Sequence, residues 1–163
     1  RAAKAMKKEA PGLQIAFDIN CGSVMPGQSN RLDALTKLYP GNDVVDIVGC
    51  SAYDWAEAGA TNEAQWRRAL YPPNSVGVGD VSKFARSKGK RLGFGEWGLA
   101  PRHRNGNGDN PFFIKKMHQF FNGNRGKLVY ECYFNEPDSS MSNSLWAEAP
   151  QNPKSAAVYR QLW

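Results

Sequence analysis

Arg91-Leu-Gly-Phe-Gly-Glu96-Trp-Gly98 is a short apolar run that ends on one carboxylate held between a glycine and a tryptophan. It follows the basic helical stretch Val81–Lys90 and precedes a loop rich in glycine, asparagine and arginine. That context reads as a buried parallel strand whose C-terminal tip presents Glu96. In strand–helix barrels the tip is where catalytic side chains sit. A glutamate there, beside an indole, suits sugar chemistry, because a carboxylate can attack or stabilise an electron-poor anomeric carbon while an aromatic face stacks on the pyranose. An ion-paired glutamate closing a strand is the plainer alternative.

Outward from this run the chain alternates strands with helices. Upstream, an amphipathic helix over Arg1–Ala10 is stopped by Pro11-Gly12 and followed by a strand over Leu13–Asn20. A loop with Gly22, Pro26 and Gly27 leads to a helix over Asn30–Leu38 and, past Pro40-Gly41-Asn42, a strand over Val44–Tyr53. Helical patterns at Asn62–Leu70 and Val78–Ser87 precede the Glu96 strand. Downstream, Asp109-Asn110-Pro111 opens a helix whose buried side is Phe112, Phe113, Met117, Phe120 and Phe121, and Gly123 ends it. A strand over Lys127–Asn135, a long loop through Ser144 and a helix after Pro153 complete the order. With no hairpin signal, the pattern predicts an α/β fold with a parallel sheet and right-handed crossovers. Four strand–helix units are half of a closed TIM-type (β/α)8 barrel, which typically needs about 250 residues. The 163 residues are therefore read as one half-barrel domain, 1–163.

Composition narrows the function classes. Hydrophobic content of 41% and charged content of 22% suit a folded globular chain, and no apolar run is long enough to span a membrane. The net charge of +6 is scattered over helices and loops rather than gathered into a stripe, which argues against nucleic-acid binding. Cys21, Cys50 and Cys132 are too few and too evenly spread for a disulfide framework, so buried free thiols are expected in the strands. Two histidines without ligand-like spacing argue against a catalytic metal, and no motif calls for a cofactor.

Four segments together resemble glycoside hydrolase family 26, the β-mannanase family of clan A barrels. Phe17-Asp-Ile-Asn20 is similar to the family's fifth strand, and Tyr39-Pro-Gly-Asn-Asp-Val-Val-Asp-Ile-Val-Gly49 through Tyr53-Asp54 to its sixth. Gly95-Glu-Trp-Gly-Leu99 resembles the seventh and Tyr130–Asn135 the eighth, while Gly108-Asp-Asn-Pro-Phe-Phe-Ile114 looks like the entry to the helix after the seventh. The resemblance implies that Glu96 is a catalytic nucleophile in retaining cleavage of β-1,4-mannan or a related polysaccharide, and that Tyr53 hydrogen-bonds it. A phenol donor keeps a carboxylate ionised and aimed. It also implies an extracellular location, although no signal peptide is visible in a chain that opens on Arg1.

Trp55, Trp97, Tyr133 and Phe134 fall at or just after strand ends, where ring faces would line a sugar groove; packing is the alternative, and the better one for Phe134. Asn20 and Asp54, near strand tips, are placed to hydrogen-bond substrate hydroxyls. Asp46 reads as structural, Asp18 as ambiguous, His103 as a loop residue within reach of a sugar or of solvent alone, and His118 as surface.

A retaining glycosidase needs two carboxyl groups about 5–5.5 Å apart. In family 26 the acid/base lies on the fourth strand, which has no counterpart here. The chain then reads as a fragment of a longer hydrolase needing an N-terminal half-barrel, as a half-barrel that completes itself as a homodimer, or as an inactive glycan-binding remnant. In a dimer, Glu131 or Glu136 of the partner is the candidate acid/base in trans. Alternation puts Glu131 on the face opposite Tyr130 and Cys132, and the sequence leaves open which face points inward.

Overall fold

The computed structural model describes residues 1–22, 31–146 and 151–163. Pro26, Gly27 and Asn30 of the sequence reading lie outside them. The elements run α1 (Ala2–Glu9), β1 (Ala16–Asn20), α2 (Arg31–Leu38), β2 (Ile47–Tyr53), α3 (Glu63–Leu70), α4 (Val78–Ser87), β3 (Arg91–Gly98), α5 (Pro111–Gly123), β4 (Leu128–Tyr133) and α6 (Pro153–Leu162), with a 3-10 turn at Arg102–Arg104. Local chemistry sets several of these boundaries. The Asn62 side chain accepts from the Gln65 N–H at 3.0 Å and opens α3; Asn110 accepts from the Phe113 N–H and opens α5, with proline in its first turn. Among the described residues no helix is long and apolar enough to cross a membrane.

The strands form one parallel sheet in the order β1-β2-β3-β4, as the alternation predicted. This is the α/β architecture of a partial barrel. Helices cover one face through Trp66 of α3, Val81 and Phe84 of α4, Phe113, Ile114, Met117 and Phe121 of α5, and Ala156 of α6. Against them the sheet presents Val48, Cys50 and Ala52 from β2 and Leu92, Phe94 and Trp97 from β3, all buried. Full burial of each large apolar side chain contributes roughly 1.5–3 kcal/mol, so this layer carries much of the stability.

Two features of the sheet were not legible in the sequence. Between Phe94 and Trp97, β3 holds one residue more than β2 or β4: Gly49 to Ala52 on β2 spans the register of Gly93 to Trp97, and Glu131 to Tyr133 on β4 that of Phe94 to Trp97. Strict alternation would leave Glu96 on the face of Phe94. The bulge puts Phe94 and Trp97 together in the helix-side core and turns Glu96 to the other face. That other face is floored with glycine. A Cβ on Gly49 would run into the Gly93 carbonyl, and one on Gly93 would come within 2.6 Å of the Tyr130 ring. Gly49→Ala is therefore expected to destabilise by about 1–3 kcal/mol, read as a lower midpoint in urea with an unchanged slope.

The second feature corrects the cysteine reading. Cys21 and Cys50 form a disulfide across 29 residues, with Cα atoms 5.6 Å apart. Only Cys132 is free, and it is exposed rather than buried. The parallel pairing of β1 with β2 brings Cys21 and Cys50 together, a neighbourhood that even spacing along the chain does not reveal.

Candidate active site

β2 and β3 end side by side at the C-terminal edge of the sheet, and their last inner-facing side chains meet. The Tyr53 hydroxyl donates to Glu96 Oε2 at 2.8 Å. Burial, then the hydrogen bond and the charge of Glu96, push the Tyr53 hydroxyl well above the usual phenol range. It therefore stays protonated at neutral pH and is a donor there. Glu96 itself is exposed, with its carboxylate open to a reacting molecule.

Beside this pair lies an open cavity of about 490 Å³, lined among others by Asn20, Ser51, Tyr53, Trp55, Glu57 and Arg104. Its size is in the range that holds small ligands. Trp55 is half-buried, its ring tilted 6.2 Å from that of Tyr53 and its backbone bridged to Gly106. Arg104 is pinned by donating to the Ser140 carbonyl at 3.0 Å, and His103 contacts the Ser139 carbonyl at 2.9 Å, which ties the loop after β3 to the loop after β4. Sequence reasoning placed Asn20, Tyr53, Trp55 and Glu96 near strand tips, and all four gather here. Ser51, Glu57 and Arg104 were missed. Ser51 stands two residues before Tyr53 and shares its face, a signal that was available. Glu57 and Arg104 arrive on loops and carried no periodic signal.

Other expected site residues are elsewhere. Trp97 is fully buried; its ring packs edge-on against Tyr133 at 5.0 Å and Phe121 at 5.4 Å, on the helix side of the sheet. It cannot stack on a sugar. Tyr133 lies on the same side, half-buried, its hydroxyl donating to the Asn143 carbonyl at 2.7 Å. Glu131 accepts from the indole N–H of Trp97 and, at 2.7 Å, from that of Trp163, so its carboxylate faces the helices and not the interior. The alternation ambiguity resolves against a role for Glu131 as an acid in trans. Glu136 sits half-buried beyond β4 and accepts from the Asp138 N–H at 3.0 Å. Phe134 packs edge-on against Tyr53 at 6.3 Å.

Asp54 also lies away from the cavity. It is completely buried and accepts from Ala60 N–H at 3.0 Å, Asn107 Nδ2 at 2.9 Å and Asn110 Nδ2 at 2.6 Å. Rather than meeting substrate, it staples the loops after β2 and β3 to the start of α5. Burial raises its pKa to about 7, against the lowering effect of the two asparagines and Ala60. The folded state thus holds this proton where the unfolded state has released it, and stability falls as pH rises from about 4 to about 7. Asp54→Asn is expected to flatten that part of the stability–pH curve, measured by urea unfolding between pH 4 and 8.

No protein-family model matches this chain, and no curated protein matches it. Solved structures do. An endo-β-1,4-mannanase double mutant from Cellulomonas fimi aligns with a TM-score of 0.55 and 17% identity over 90% of this chain and 30% of that one. The catalytic domain of the family 26 endo-β-1,4-mannanase of Bacillus sp. JAMB-750 aligns with a TM-score of 0.52 and 23% identity over 89% of this chain and 37% of that one. A modular family 26 endo-β-1,4-mannanase of C. fimi gives 0.52 and 17% over 87% and 29%. The chain has the fold of part of a glycoside hydrolase family 26 mannanase and spans about a third of the length of these proteins.

Proposed function

We propose that this chain carries the nucleophile side of a retaining glycoside hydrolase site acting on β-1,4-mannan or a related β-linked polysaccharide. The observation that carries the reading is the 2.8 Å hydrogen bond from Tyr53 to Glu96 beside an open cavity at the C-terminal edge of a half-barrel sheet. Glu96 attacks the anomeric carbon and forms a glycosyl ester as the leaving-group oxygen departs; water then hydrolyses the ester. Tyr53 aims the attacking oxygen. Trp55 supplies an aromatic face, and Asn20, Ser51 and Arg104 supply polar partners for hydroxyls at the cavity wall. Protonation of the leaving group is assigned to a carboxyl group on a complementary set of βα units, with Glu136 the candidate from a second copy.

An activated substrate tests the nucleophile without that acid. A 2-deoxy-2-fluoro-β-mannosyl fluoride needs no proton to expel fluoride, and it should add one fluoromannosyl mass to the peptide containing Glu96. A folded chain that shows no adduct at Glu96 overturns the proposal. Tyr53→Phe removes one preorganised donor and is expected to slow adduct formation roughly a hundredfold, with the fold intact by circular dichroism.

A second reading is a half-barrel that self-associates and binds glycans without cleaving them. It is favoured by the sheet itself: β1 and β4 each pair on one side only among the described residues, and free edges drive association. Sedimentation equilibrium gives the mass, and mannan affinity without adduct formation selects this reading. In either case the Cys21–Cys50 disulfide supports an oxidising, extracellular setting.

A further inference from the structure

We propose that Asp18 is a positioning residue for Glu96: it stands on the glycine floor of the inner face, against the bulge that turns Glu96 inward, and sets that carboxylate's orientation. Its catalytic consequence rests on the glycosidase reading; the coupling of the two carboxylates does not.

The argument begins with alternation in β1. Phe17 and Ile19 pack against the core, so Ala16, Asp18 and Asn20 face the other way. Asp18 is in register with Gly49 of β2, and Gly49 with Gly93 of β3. A side chain at Gly49 would block the path from β1 to β3. With glycine there, the Asp18 carboxylate leans over β2 until its Oδ2 would lie 3.6 Å from a Cβ on Gly49 and 3.3 Å from one on Gly95. Gly95 is the residue just before Glu96 and lies within the bulge, where ladder pairing is interrupted. The carboxylate thus rests against the segment that aims Glu96.

The surrounding charges make this more than filling. Burial pushes the Asp18 carboxyl up; the backbone N–H groups of Gly95, Ile19 and Ser51 oppose that, and the charge of Glu96 adds to it. Tyr130 of β4 faces Asp18 from the far side, its hydroxyl raised by burial first and then by the charges of Asp18 and Cys132. Tyr53 of β2 faces the pair through Glu96. None of these groups is a cation. The charge of Glu96 thus reaches Asp18 across the floor.

Carbon-detected NMR of the side-chain carboxyls reads this directly on the folded chain. Glu96→Gln removes the charge that raises Asp18 and should move the Asp18 titration midpoint down. An unmoved Asp18 midpoint in the folded Glu96→Gln variant overturns the coupling. With the fluoromannosyl fluoride, Asp18→Ala should cut the maximal adduct rate roughly tenfold or more, leave the half-saturating concentration near its original value, and shift the acid limb of the rate profile. An unchanged maximal rate and pH profile overturn the positioning role. A moved Asp18 midpoint in a chain that forms no adduct keeps the coupling and discards the glycosidase reading.

Discussion

Glu96→Ala should abolish adduct formation and lower hydrolysis of a dinitrophenyl β-mannobioside by roughly four orders of magnitude or more, the scale seen when a covalent nucleophile is deleted. The side chain is exposed and accepts from the Tyr53 hydroxyl at the cavity, so its removal frees that phenol rather than opening a core defect. Loss of activity with unchanged stability therefore separates chemistry from folding. Added azide sharpens the test: it enters the space vacated by the carboxylate, attacks from the same face, expels dinitrophenolate and forms the α-mannosyl azide. That product appears only if Glu96 stands where the attacking atom belongs. Full retention of hydrolysis by Glu96→Ala would sink the nucleophile assignment.

The largest expected effect on stability is loss of the disulfide. Cys21→Ser with Cys50→Ser opens a loop of 29 residues, and chain entropy predicts a cost of about 3.6 kcal/mol. Because Cys50 is fully buried, the serine hydroxyl placed there adds an unmet hydrogen-bonding group. Urea unfolding of the oxidised protein, the reduced protein and the double variant gives the three midpoints. The reduced protein should fall close to the variant. Cys21 also lines the cavity next to Asn20, so reduction should weaken ligand binding at that wall. Coincident midpoints for oxidised and reduced protein would show that the bridge contributes nothing. Cys132→Ser, at an exposed position, should leave the midpoint where it was.

Helix and strand order was legible because each element repeats one physical period over several residues. The α4 helix runs over Val78–Ser87 as its pattern predicts, and Asn110-Pro111 opens α5 as capping chemistry requires. Strand ends were less so: β1 begins at Ala16 and β2 at Ile47, inside the apolar runs that suggested them, because Val44 and Val45 are buried in the turn before β2 rather than in its ladder. The site was legible in part. Glu96, Tyr53, Trp55 and Asn20 converge because parallel strands put all their C-terminal tips at one edge. Trp97, Tyr133, Asp54 and Glu131 share that level of the sheet and still belong to the core or to loop anchoring. Height along a strand and facing across it are separate coordinates.

From its one-dimensional order alone, then, the chain determined four parallel βα units and a carboxylate at the tip of the third strand, since periodicity and crossover handedness depend on neighbouring residues. Only the tertiary structure decided which way that carboxylate points, that Glu131 serves two indoles, that Cys21 meets Cys50, and that Asp18 reaches β3. The reason is geometric. One extra residue in β3 inverts the facing of Glu96, and one glycine in β2 opens the space between strands; neither leaves a mark in the period of the sequence.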